Sequence, residues 1–361
     1  MDIAHFGCFD VANYGDLLRS LIARQRLAGH KVTAVAPMGG SLPPWPDADM
    51  AVRADLLLEP GRPVDACLIG GGEIIRTDSG GAAAYRRDAL TDRFAMPSLW
   101  LGAGLVAERA NARLLWNAPA VPLPIADPAF QDLVAALLRA SNYISVCDDD
   151  SKARLGDCVH GSAEILSEIA VVPDTLVDIA RHWPRDALLS HFEMLLARQG
   201  LNFPERSIIF HLQGVAQSDV ADMAALVMGM SESSGSLPIL LSGVSDGDDG
   251  NVARAVAASL SIPHLLMDRP ATLRDIAACL AFGNVHVGPD RCAFLTSFAY
   301  GNMGVLIGDA VPPWLTCIMP DSHGGAVICK EWRLAAEALA GLAIAGSAPC
   351  SAALEIGRAH V

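Results

Sequence analysis

Short apolar runs of strand length alternate with longer stretches of helical periodicity along nearly the whole chain. Residues 2–7, 31–36, 65–69, 98–101, 143–146 and 169–172 read as strands, with helices over 16–28 and 131–140 between them. The pattern then starts again. Strands are predicted at 207–212, 238–242, 264–267, 285–287 and 305–307, with helices at 219–230, 251–260, 273–281 and 293–300. Such alternation is the mark of βαβ units, whose parallel strands are covered on both faces and so read as near-continuous apolar runs. The expected fold class is α/β, with two doubly wound Rossmann-like domains facing a central cleft. Residues 1–180 form the N-terminal domain and 205–350 the C-terminal one. The stretch 181–204, which holds His182-Trp-Pro-Arg and a helical pattern over 187–199, is expected to be a linker region. Residues 37–46 are a Pro/Gly-rich loop, 117–127 a proline-rich surface excursion, and 246–250 (DGDDG) an acidic turn without the ligand spacing of a calcium loop.

Composition narrows the function. Of 361 residues, 52% are hydrophobic and 18% charged, which excludes a disordered chain and leaves enough apolar surface for two cores. The 26 Lys and Arg against 40 Asp and Glu give a net charge of −14, which argues against a nucleic-acid partner. The nine cysteines contain no CxxC and no zinc-ligand spacing, so buried free thiols in a reducing compartment are expected. No secretory signal precedes the first strand. The alanine-rich stretch 334–348 contains Glu337 and is shorter than the ~20 apolar residues of a membrane span. A cytoplasmic, not membrane-spanning protein is the expectation. The tail 355–361 reads as an artefact appended by a sequencing adapter.

Three segments carry candidate chemistry. FDVANYGD (9–16) follows the first strand and opens a helix, where backbone N–H groups and the helix dipole suit an anion. Asn13 can donate to such a group, Gly15 permits close approach, and Asp16 either caps the helix or acts on a substrate hydroxyl. Neither a dinucleotide fingerprint nor a Walker A sequence is present. LIGGGE (68–73) ends an apolar strand in Gly70, Gly71 and Gly72, followed by Glu73 and Arg76. These glycines either bring the backbone up to a ligand or make a tight strand-to-helix turn. SVCDDDS (145–151) puts Asp148 at a strand end, facing a ligand or starting a helix, and VPD (172–174) follows one strand later.

Taken in order, FDVANYGD, LIGGGE, SVCDDDS and VPD resemble the polysaccharide pyruvyltransferase family over most of 2–310. The resemblance implies a two-domain architecture similar to the GT-B type of glycosyltransferase. It also implies transfer of the enolpyruvyl unit of phosphoenolpyruvate onto two hydroxyls of a sugar, in exopolysaccharide or cell-envelope synthesis. Two positions depart from the family: Cys147 stands where it carries an arginine, and Cys292 falls on its histidine.

Ketal formation needs a general acid, a base for the hydroxyls, and cations for carboxylate and phosphate. The candidate catalytic residues are Asp16, Asp148 and His211. The candidate substrate-binding residues are Asn13, Gly15, Gly70, Gly71, Gly72, Glu73, Arg291 and Cys292. Arg291 is the leading anion binder, since a guanidinium grips oxyanions bidentately, against a surface ion pair with Asp290. His211 ends the first strand of the second domain and His286 is expected to be structural. The expected partners are phosphoenolpyruvate and a saccharide or lipid-linked saccharide acceptor, with no metal, no cofactor, and a homo-oligomer possible. The alternatives are a nucleotide-sugar glycosyltransferase of the same architecture and a non-catalytic sugar- or anion-binding homologue.

Overall fold

The predicted alternation is realised as two parallel sheets, one in each of two units. The computed structural model describes residues 1–40, 42–78, 80, 82–245, 250–318 and 325–344. Most of the 246–250 turn and the whole 355–361 tail therefore lie outside the described residues. One unit comprises Met1–Thr175 with Pro313–Ile318, and the other Leu176–Pro312 with the described residues beyond Ile318.

The first unit contains β1 (Asp2–Phe6), β2 (Lys31–Ala36), β3 (Val52–Arg53), β4 (Ala66–Ile69) and β5 (Arg113–Trp116), in the order β3-β2-β1-β4-β5. All pairings are parallel. β6 (Ile144–Val146) and β7 (Ile169–Val171) pair with each other, and a bridge from Leu115 to Tyr143 links β5 to the start of β6. Phe6, Cys67 and Ile69 on the central strands are fully buried, as residues sandwiched between helix layers must be. The order reverses between β1 and β4. At such a switch point the two following loops diverge to opposite faces and open a crevice beyond the strand ends.

The stretch 98–101, expected to be a strand, lies inside the helix Ala89–Ala110. It is apolar on every side, so its periodicity does not separate strand from helix. Pro97 sits within this helix without ending it. Asp88 caps its start by accepting from the N–H groups of Leu90 and Thr91, and Asn111 closes it at φ 50°. Trp100, Leu99, Ala103 and Val106 on this helix enter the unit's core. The predicted surface excursion 117–127 is also different: Ala118, Ala120 and Val121 are buried, and the chain reaches the surface only beyond them.

The second unit contains β8 (Ser207–His211), β9 (Leu237–Leu241), β10 (Leu265–Met267), β11 (Val285–Gly288), β12 (Met303–Ile307) and β13 (Ala326–Cys329). Their order is β10-β9-β8-β11-β12-β13, again parallel throughout and reversing between β8 and β11. The expected linker 181–204 is part of this unit. Its helix Arg185–Arg198 packs through Phe192, whose ring stacks on Phe282 at 5.1 Å and meets Phe203 edge-on. Among the described residues no helix is long and apolar enough to cross a membrane. Among the described residues the eight cysteines form no disulfide with one another, and six of them are buried.

Candidate functional site

The loop after β1 runs directly into the helix Tyr14–Arg26 at the switch point of the first sheet. Asn13, in extended conformation, is the N-cap, and its Oδ1 accepts from the N–H of Asp16 at 3.1 Å. Asp16 therefore is not the cap. It occupies the third helical position, with Gly15 buried before it and Arg19 one turn further on. Arg19 Nη1 donates to Asp16 Oδ1 at 2.8 Å, while its Nε and Nη2 donate to Asp174 Oδ1 and Oδ2 at 3.2 and 2.8 Å. The Arg19 and Asp174 side chains are 3% and 2% exposed, against 17% for Asp16. Two of the sequence segments, FDVANYGD and VPD, thus meet through a residue that the sequence analysis did not single out. The available signal was a cation one turn after Asp16 on the buried face of a helix.

The glycines of LIGGGE close this pair from the other side of the switch point. A Cβ on Gly70 would collide with His5 Nε2, and Gly71 lies against the Arg19 side chain. Gly72 adopts φ +92°, where side chains are strained, and a Cβ there would stand 2.9 Å from Asp16 Oδ1. Gly72 also accepts at its carbonyl from Ala120 N–H at 2.8 Å. The run is glycine because the backbone presses on His5 and on the Asp16–Arg19 pair.

Burial raises the Asp16 carboxyl to about pH 6; Arg19 opposes this, and the negative charges of Glu73 and Asp174 add to it. Glu73 is exposed, and Arg76 is engaged with Asp78 and, at 3.9 Å, with Glu73. The strand ends therefore set Asp16, Glu73 and Asp174 against two guanidiniums, Arg19 on Asp16 and Asp174 and Arg76 on Glu73. Asp16, partly exposed beside the glycine run, is placed to take a proton from a hydroxyl near neutral pH.

Asp148 is the N-cap of the helix Asp149–Cys158: Oδ1 accepts from Ser151 N–H at 2.7 Å and Oδ2 from Cys147 Sγ at 3.1 Å. Ser151 Oγ in turn accepts from Val121 N–H at 2.9 Å. Asp148 is 6% exposed, and these bonds tie the SVCDDDS segment to the strand-end chain that also carries Ala120. They give Asp148 a structural role in this conformation.

In the second unit, His211 ends β8 and Gly288 ends β11, the two strands that flank that sheet's switch point. His211 is fully buried, its ring 6.4 Å from that of His286. Burial, and then the neighbouring His211, push His286 down to about 3. Asp290 caps the helix Arg291–Ala299 by accepting from Ala293 N–H at 2.7 Å, which puts Arg291 and Cys292, both partly exposed, in its first turn. A cation at a helix N-terminus beside a switch point is suited to an oxyanion. Among the described residues no group of three or more His, Cys, Asp or Glu could hold a metal ion.

No family model matches the sequence. No curated protein matches it either. Solved structures do match by fold. The UDP-GlcNAc 2-epimerase of Neisseria meningitidis, bound to UDP-GlcNAc, superposes with TM-score 0.55 at 11% identity, over 95% of this chain and 92% of that one. The UDP-GlcNAc 2-epimerase of Methanocaldococcus jannaschii gives 0.57 at 9% identity, over 94% and 92%. The heptosyltransferase WaaC of E. coli, with ADP, gives 0.50 at 14% identity, over 95% and 99%. At these identities the likeness is one of fold: an α/β, GT-B-type chain of two Rossmann-like units.

Proposed function

We propose that the chain is a sugar-modifying transferase that joins an anionic donor to acceptor hydroxyls. Within that class the residues support pyruvyl transfer from phosphoenolpyruvate to a saccharide. The observation that carries this is the convergence of the family-like segments on the first unit's strand ends. FDVANYGD, LIGGGE and VPD share the Asp16–Arg19–Asp174 network, and SVCDDDS is bonded to the chain beside Gly72.

In this scheme Asp16 takes the proton of the first hydroxyl, whose oxygen attacks C2 of phosphoenolpyruvate as solvent delivers a proton to its methylene carbon. Phosphate leaves with the C–O bonding pair. The second hydroxyl then closes the ketal and releases its proton to solvent or phosphate. The acceptor lies in the acidic crevice, where carboxylates accept hydrogen bonds from hydroxyls. In the second unit, Arg291 at its helix start is the residue suited to a donor's negative charge.

A nucleotide-sugar glycosyltransferase is the second reading, and the fold comparisons favour it over pyruvyl transfer. The epimerase neighbour is bound to UDP-GlcNAc and the heptosyltransferase to ADP. The same residue chemistry serves it, with Asp16 as the base of the first unit and Arg291 as the oxyanion-binding cation of the second.

Incubation with phosphoenolpyruvate and a panel of neutral saccharides is expected to release phosphate and yield a carboxyethylidene ketal, identified by mass. Release of nucleotide from a UDP- or ADP-sugar, with no phosphate from phosphoenolpyruvate, would replace the first reading by the second.

A further inference from the structure

Arg19 touches both Asp16 and Asp174, and its geometry is specific to a guanidinium. Nε and Nη2 form a two-pronged grip on the Asp174 carboxylate, which fixes the plane of the group. Nη1 then projects to Asp16 Oδ1. Gly71 and Gly72 pack on the opposite side, with Gly72 so close to Oδ1 that no side chain fits between. Asp16 Oδ2 accepts no hydrogen bond among the described residues.

We infer that Arg19 is a positioning residue: clamped by Asp174, it holds the Asp16 carboxyl by Oδ1 and leaves Oδ2 to take the acceptor's hydroxyl proton. This rests on Asp16 being the base of the proposed transfer. Arg19 does not touch substrate in this scheme. Its effect passes through Asp16, whose titration also responds to Glu73 and Asp174. A lysine keeps the charge but cannot grip Asp174 with two prongs and reach Asp16 with a third.

The test is Arg19→Lys in the full chain, read by two measurements. The Asp16 carboxyl is followed by carbon-13 NMR of aspartate-labelled protein, with Asp16→Asn identifying its signal. Its midpoint is expected to rise by about one pH unit as the paired charge moves away. Turnover is expected to fall about 10- to 100-fold, with donor KM within about twofold of wild type, and the acidic limb of the rate profile to shift with the NMR midpoint. In an Asp16→Asn background the same change is expected to cost less than about twofold, because residues that act as a unit are non-additive. A folded Arg19→Lys protein whose Asp16 midpoint stays in place overturns the positioning role, whatever its activity. A shifted midpoint in a protein that turns over neither phosphoenolpyruvate nor a nucleotide sugar supports the positioning role and overturns the proposed transfer instead. Where Arg19→Lys yields no folded protein, Asp174→Asn is read instead: loss of the Asp174 charge is expected to lower the Asp16 midpoint, and the loosened clamp to lower turnover about 10-fold with donor KM within about twofold, so wild-type turnover in a folded Asp174→Asn protein overturns the positioning role.

Discussion

Arg19 Nη2 lies 2.8 Å from Asp174 Oδ2, although 155 positions of sequence separate the two residues. Both side chains are almost wholly buried, so each is the other's principal compensation for leaving water. Removing one partner takes away part of what offsets the other's burial. Asp174→Ala is therefore expected to destabilise the protein by about 3 kcal/mol, the low end for breaking a buried pair because Arg19 retains Asp16. Urea denaturation at neutral pH measures this. A loss below about 1 kcal/mol would mean that water reaches Arg19 and that the pair is a surface one in effect.

Gly72→Ala is expected to be costly for two reasons that act together. The backbone at φ +92° strains any side chain, and the new methyl would press on Asp16 Oδ1 at 2.9 Å. A destabilisation of about 1–3 kcal/mol follows. Turnover is expected to drop further than folding alone explains, since the methyl displaces the Asp16 carboxyl. Thermal unfolding and initial rates at saturating donor separate the two effects. Wild-type turnover in a folded Gly72→Ala protein would show that Asp16 has room to spare.

Much of this arrangement was legible in the sequence because it is local. The strand run Lys31–Ala36, the glycine run at 70–72 and the helix that follows Asn13 each carry their own signal in a few residues. What was not legible depends on tertiary context. The stretch 98–101 is apolar all round and is helical because the helix Ala89–Ala110 is buried along the sheet, not because of its own periodicity. β3 has two residues, too short for a period to register. Arg19 is an ordinary-looking arginine until β7 brings Asp174 to it. The same context changed the meaning of residues that were found. Gly70 and Gly72 serve His5 and Asp16, and Asn13 and Asp148 are both helix caps.

The buried histidines predict acid lability. His286 has no hydrogen-bond partner for either ring nitrogen among the described residues, and its folded-state pKa lies near 3 against 6.5 when exposed. A depressed pKa means that the neutral ring's contribution is fully present above pH 6.5 and is lost as pH falls toward the folded value. At pH 5 the unfolded chain already gains on the order of 2 kcal/mol from protonating this one ring. His5, also pushed down to about 3 by burial, adds a similar amount in the first unit. His286→Leu, of similar size and without polar atoms to satisfy, is expected to remove its share of the pH dependence. Unfolding free energies at pH 7 and pH 5 check this. Equal losses in wild type and variant would exclude His286 as a source.

Asp16 titrates in the opposite sense for stability and in the useful sense for catalysis. Its carboxyl is raised to about 6 in the folded state, from the 3.8 of a free side chain, chiefly by burial. The folded state therefore prefers it protonated. That preference stabilises the protein fully below pH 4 and is lost as pH rises through 6. At pH 7 the group is ionised by roughly ten to one and still basic enough to take a hydroxyl proton, which is the balance a general base needs. The rate of transfer is expected to rise with pH along a limb centred near 6 and to level off above it. Asp16→Asn, which keeps the shape and the bond to Arg19, is expected to lower the rate by about 10²- to 10⁴-fold and to abolish that limb. It should also relieve the cost of the buried charge and leave the protein at least as stable at pH 8. A residual profile with its midpoint still near 6 in Asp16→Asn would assign the titration to another group and remove Asp16 from the role of base.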